Sequence, residues 1–263
     1  MKKQIGIICL AVVLIGSLSY ILIRRHHQAP VVRDYEQIAA DTLHVVTEYN
    51  LVDYYLSGDT IAGVQYELIN FIEQRSGLPV SISLEQNLET CMEKLENETY
   101  DVIARSIPIT NEHSERLAFT TPITRNKQVL VQRQQTDEND SLFIDNQIQL
   151  ANRTVFVPEN SPAILRLKNL SEEIAEQIHI GQISNYAAEQ LIYMVSSGKI
   201  DYAVVDRELA LKNLEQFSNI NIDTDITFTQ LQAWAVRKNA PILLDSLNVW
   251  ITNYFSLPLH RKK

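Results

Sequence analysis

The sequence predicts an α/β protein of two lobes with a hinge and an inter-lobe cleft, preceded by one N-terminal transmembrane helix. Three observations carry this reading. Apolar strand runs alternate with segments of helical period in the order expected of parallel α/β sheets. The alternation occurs twice, as two units joined by extended segments, and such lobes enclose ligands by hinge closure. Residues Ile5 to Ile23 hold no charged side chain.

That first run spans about 28 Å as a helix, close to the hydrocarbon thickness of a bilayer. Lys2 and Lys3 open it, and Arg24, Arg25, His26 and His27 close it. Its small-x-small candidate, Ser17-Leu18-Ser19, lies inside the apolar stretch, which favours an uncleaved anchor over a signal peptide. Residues 1–27 are therefore read as a membrane anchor and 28–42 as a linker.

The first unit starts with the strand LHVVT at 43–47 and a helix from Gly63, where Val64, Leu68, Phe71 and Ile72 share a face and Gly77 stops it. PVSISL at 79–84 alternates strictly, and Asn87 caps a helix carrying Leu88, Cys91, Met92 and Leu95 at helical spacing. DVIA at 101–104 closes the unit. In the second, QVLVQR (128–133) and TVFV (154–157) are strands, and Ser161-Pro162 opens a helix as cap and first-turn proline. Ile178 to Ile180 form a short strand, Asn185 caps a helix stopped by Gly198, and DYAVV (201–205) follows. AWAVR (233–237) and a helix begun by Pro241 end the pattern.

Beyond residue 27, 19 Lys and Arg stand against 32 Asp and Glu, a formal charge of −13. Such a surface repels phosphate backbones, so nucleic acid is not an expected partner. The two cysteines, Cys9 and Cys91, are not expected to pair. There is no G-x-S-x-G, H-E-x-x-H or phosphate-binding glycine loop, and the six histidines lack metal-ligand spacing. Neither catalysis nor a cofactor is expected.

Residues 99–123, TYDVIARSIPITNEHSERLAFTTPI, lead a strand into a polar loop ending in F-x-x-P, and open α/β sheets place ligand groups at such strand ends. The segment resembles the signature of type II periplasmic solute-binding proteins (bacterial extracellular solute-binding family 3), matching at Asp101, Ala104, Thr110, Phe119, Thr120 and Pro122. The arginine that grips a ligand carboxylate in amino-acid binders is replaced by His113. The region also resembles the N-terminal binding domain of membrane-bound lytic transglycosylases F, including Asn87-Leu88 and Arg116. The resemblance implies that 43–126 and 238–257 form lobe 1, and 127–237 lobe 2 with the return hinge. It further implies a short cytoplasmic N-terminus, single-pass attachment to the inner membrane through residues 5–23, and a body in the periplasm. The chain stops at Lys263 without the catalytic domain that follows in the transglycosylases, so glycan cleavage is not expected.

Eight residues are candidates for ligand contact. Glu48 and Tyr54, after the first strand, fit either a ligand wall or a cover for the lobe edge. Arg105 ends a strand at the cleft mouth, where it could bind an anion, and Ser106 aligns with a contact position of amino-acid binders. His113 binds an anion only when protonated; Arg116 either reaches the same space or pairs with Glu112 or Glu115. Ser161 precedes a helix N-terminus that favours anions, and Asp206 either meets a ligand ammonium or caps the following helix. A zwitterion bridging Arg105 and Asp206 is the expected mode. The function expected is capture of a small polar ligand, an amino acid or peptidoglycan-derived fragment, for transport or sensing, with a permease or cell-wall enzyme as partner. The rival readings are a ligand-free module regulating cell-wall enzymes and a cyclodehydratase-type enzyme on the same fold.

Overall fold

The computed structural model describes residues 32–137, 140–159, 161–183 and 188–258. The expected anchor and the Asn185 cap lie outside them. Among the described residues no helix is long and apolar enough to cross a membrane.

From Asp34 onward the chain forms one compact unit built on two large sheets, with a two-stranded hairpin beside the first in sequence. The elements of the first are α1 (Tyr35–Ala39), β1 (Leu43–Thr47), the hairpin β2 (Tyr55–Ser57) and β3 (Thr60–Ala62), α2 (Val64–Ser76), β4 (Val80–Leu84), α3 (Leu88–Glu96) and β5 (Val102–Pro108), followed by α4 (Asn111–Arg116), β6 (Leu117–Phe119) and β7 (Thr124–Asn126). The second holds β8 (Gln128–Arg133), β9 (Thr154–Pro158), α5 (Ala163–Glu173), β10 (His179–Ile183), α6 (Ala188–Ser196), β11 (Tyr202–Asp206), α7 (Arg207–Leu214) and β12 (Ile220–Asn221). The chain then returns through β13 (Gln230–Arg237) and α8 (Pro241–Ser256).

The first sheet runs β4-β1-β5-β13-β6, with β7 paired to β13; the second runs β10-β9-β11-β8-β12. Pairs β1–β4, β1–β5, β9–β10 and β9–β11 are parallel, while β13 is antiparallel to β5 and β8 to β11. Strand alternation divides each core into two layers. Leu43 and Val45 face α2 and α8 through Leu68, Ile72, Leu247 and Ile251, while Val46 faces Met92 and Leu95 of α3. In the second lobe Val129 and Val205 pack on α6 and α7, and Leu130 and Val204 pack on Leu167 of α5.

Two expectations of organisation need correction. The segment 28–42 is not wholly a linker: Asp34 caps α1 with a capping box completed by Gln37, and Asp34 Oδ1 also accepts from Leu243 N at 2.8 Å. Residues 230–237, expected to close lobe 2 and form the return hinge, run as β13 between β5 and β6 of the first sheet. Val64, expected to share the buried face of its helix, is exposed, and the buried place is taken by Gln65. The short strands β2, β3, β6, β7 and β12 and the six-residue helix α4 were not anticipated.

Candidate functional site

The site is a cleft of about 150 Å³ between the two sheets. Its floor on the lobe 1 side is the loop after β1. Asn50 organises that loop: its Oδ1 accepts from Val52 N at 2.8 Å and Asp53 N at 2.7 Å, and its Nδ2 donates to Asp53 Oδ2 at 2.9 Å. The start of α2 presses onto the same loop, with Gln65 N and Tyr66 N donating to the Asp53 carbonyl. This approach requires glycine at position 63, where φ is +129° and a Cβ would lie 2.2 Å from Asp53 O. Behind the loop, Trp234 Nε1 donates to Gln65 Oε1 at 2.5 Å. Gln65 Nε2 passes the chain on to Asp53 Oδ1 and Ser106 Oγ, both at 3.0 Å. A buried tryptophan on β13 thus fixes two side chains that line the cleft.

Arg105, on β5, lies deep in the site with its side chain 12% exposed. Its Nη2 donates to Glu48 Oε2 at 2.5 Å, and its Nη1 to the carbonyls of Gln86 at 3.0 Å and Glu85 at 3.4 Å. From lobe 2, Asp206 ends β11 at the cleft. It stands at the start of α7 but makes no side-chain capping bond, and it lies in register opposite Gln128 of β8. Gln128 is 6% exposed and its Oε1 has no partner. Glu189 reaches across from α6, where its Oε1 accepts from Leu51 N at 2.9 Å, while Val52 packs against the lobe 2 core.

The lining carries six carboxylates, those of Glu48, Asp53, Glu159, Glu189, Asp206 and Glu208, against the single guanidinium of Arg105. Burial pushes the Glu48 carboxyl up to about 8; Arg105 opposes this, while Asp53 and Asp206 add to it. Burial raises Asp206 to about 7, reinforced by Asp53.

Of the eight candidates, Glu48, Arg105, Ser106, Ser161 and Asp206 line this cleft. Tyr54 does not, while His113 and Arg116 line an adjoining cavity that shares Leu88, Ser161 and Pro162 with the cleft. Tyr54 packs edge-on against Tyr66, 5.5 Å between ring centres. His113 is turned back by a 2.9 Å contact between Nδ1 and Pro108 O. Arg116 is held outside by Glu89 at 2.7 Å and Glu96 at 2.8 Å, not by the adjacent acids of its own helix. Nor are Arg105 and Asp206 a free pair across the cleft, because Arg105 is engaged by Glu48. Sequence reasoning missed Asp53, Gln65, Gln128, Glu189 and Trp234. Gln65 alone had a signal, a polar side chain in helical register with Leu68, Ile69 and Ile72. Among the described residues no group of three or more His, Cys, Asp or Glu side chains is placed to hold a metal ion.

Residues 43–256 match the model of the bacterial extracellular solute-binding proteins, family 3. Among curated proteins, the membrane-bound lytic murein transglycosylase F of Desulfosudis oleivorans is 28% identical over 204 residues, 78% of this chain and 43% of the relative. That of Shewanella sediminis is 22% identical over 94% of this chain and 50% of its own length. The chain spans about half or less of the transglycosylases it matches. Solved structures with the same fold include an ancestral arginine-binding protein bound to glutamine (TM-score 0.71, 22% identity, 84% of this chain and 95% of that one). Another is the arginine-bound substrate-binding protein AbpA of an amino acid ABC transporter from Streptococcus pneumoniae (TM-score 0.69, 19% identity, 83% and 91% covered).

Proposed function

Because the chain belongs to the bacterial extracellular solute-binding proteins, family 3, we propose that it captures a small polar ligand in the cleft between its lobes and does not itself catalyse a reaction. The observation that carries this reading is the cleft's composition. Buried charged and amide groups from both sheets converge on it, and one buried acceptor, Gln128 Oε1, has no partner. A polar group kept dry without a hydrogen bond is costly, and a ligand donor would satisfy it. A volume of about 150 Å³ suits one small solute, since a cavity of that size holds a six-membered ring.

The solute is of amino-acid size or a peptidoglycan-derived fragment. The arginine-binding structures favour the first and the murein transglycosylase relatives the second. Those relatives' names also support a membrane-tethered domain in the periplasm, held at the inner membrane by residues 5–23. A permease or a cell-wall enzyme would receive the loaded domain. Lobe 1 would comprise 34–126 and 230–257, and lobe 2 the residues between. Capture would draw on Glu48, Ser106, Ser161 and Asp206, with Arg105 held as the partner of Glu48.

A thermal-shift and calorimetric screen of the full-length chain in detergent against amino acids, amines, dipeptides and muropeptides tests the proposal. At least one compound is expected to raise the melting temperature and to bind with one-to-one stoichiometry, and Asp206→Asn is expected to weaken it tenfold or more. If no compound of any class binds, the cleft is not a ligand site.

A further inference from the structure

Resting on that reading of the cleft, we infer that it selects a small organic cation lacking a carboxylate, an amine or amidinium compound, rather than a zwitterion. A carboxylate is held most strongly by a cationic donor, and the one cation of the cleft lining is engaged elsewhere. Arg105 is bound to Glu48 and to two backbone carbonyls. His113 is turned to Pro108 O, and Arg116 is locked between Glu89 and Glu96. The N-terminus of α5, which would otherwise attract an anion, is closed by its own sequence. Pro162 has no N–H, Ala163 N donates to Ser161 Oγ at 3.3 Å, and Ile164 N donates to Ser161 O at 3.0 Å.

Acceptors, by contrast, are in excess. Beyond the carboxylate that matches Arg105, the cleft keeps Asp53 and Asp206, with Glu189 at its edge. Gln128 supplies an independent sign of what is missing. It lies in register opposite Asp206, and its buried Oε1, without a partner, can be satisfied only by a donor. A ligand ammonium or amidinium brings several N–H donors and a positive charge together and would hold these acids in their ionised form, whereas a carboxylate would add one more acceptor to a cleft already in excess of them. The acids facing this position are Glu48 and Asp53 from the loop after β1, Asp206 from β11, Glu208 from α7, Glu189 from α6 and Glu159 after β9; Arg105 of β5 is the single cation.

Calorimetry on the full-length chain at pH 7 with two matched pairs decides this: agmatine against L-arginine, and cadaverine against L-lysine. The members of each pair differ only by the α-carboxylate. The carboxylate-free compound is expected to bind at least tenfold more tightly in one or both pairs, with L-glutamate giving no heat of binding. Asp206→Asn and Gln128→Leu should each weaken agmatine or cadaverine tenfold or more. The melting temperature of each ligand-free variant checks that it is folded. Arginine or lysine binding as well as its decarboxylated counterpart, or tight glutamate binding, overturns the inference yet leaves the cleft a ligand site. Absence of binding by every compound here and in the wider screen overturns both.

Discussion

Gly63 is the residue whose identity most constrains the site. Its φ of +129° and the Asp53 carbonyl 2.2 Å from any added Cβ leave no room for a side chain, and the obstacle is backbone rather than a movable side chain. Gly63→Ala is expected to cost about 2–3 kcal/mol, from strain of about 1–3 kcal/mol at such a conformation plus displacement of the loop. It should also abolish ligand affinity, because Asn50 and Asp53 would shift together. Chemical denaturation read beside calorimetry checks this; an alanine variant with unchanged stability and affinity would show that the loop is not held by this contact. The sequence made Gly63 visible as a helix start but not as a point of contact, since the approaching carbonyl belongs to a loop ten residues earlier. The same limit hid the diversion of Arg116 and the engagement of Arg105. Both depend on carboxylates from other elements, which no local spacing reveals, whereas the cleft positions of Glu48, Ser106, Ser161 and Asp206 follow from strand ends and were legible.

Among the elements, those with long periodic patterns were read correctly because their own side chains enforce them. β1, α3 and α8 begin where the alternation, the Asn87 cap and Pro241 place them, with Thr90 N donating to Asn87 Oδ1 at 3.0 Å. Short strands such as β6 and β7 exist only because β13 offers them an edge, so their sequences carry little trace of them. The capping box at Asp34 and Gln37 was in the sequence, yet its role extends beyond α1. One carboxylate accepts from Tyr35 N at 2.7 Å and from Leu243 N at 2.8 Å at the start of α8. Asp34→Ala therefore uncaps two helices at once, and the expected loss is about 1–3 kcal/mol, given about 0.5–2 kcal/mol per cap. Urea denaturation measures it; a loss below about 0.5 kcal/mol would mean that water replaces the carboxylate at both ends.

For the whole molecule, the buried acids link stability to pH. Glu48 and Asp206 have folded-state values of about 8 and 7, above the ordinary 4.5 and 3.8, so the folded chain holds protons that the unfolded chain has released. Their contribution is fully present below about pH 4 and is lost as pH rises through 7 to 8. The ligand-free double variant Glu48→Gln, Asp206→Asn should thus gain melting temperature relative to the native chain as pH rises from 5.5 to 8.5. Parallel melting curves across that range would show that these acids do not hold extra protons in the folded state. A bound cation would take over the compensating role, so a cationic ligand is expected to bind more tightly at pH 8 than at pH 6.

The place of β13 bears on how the chain is made. The second sheet draws its strands from residues 128–221, an uninterrupted stretch that can close on itself as it emerges. β5 leaves its inner edge unpaired until Gln230–Arg237 arrives, more than 120 residues later, and α8 comes later still. The lobe that begins first is therefore completed last. An open strand edge of the kind that invites mispairing persists until β13 has appeared, and the early closure of the second sheet limits what that edge can meet.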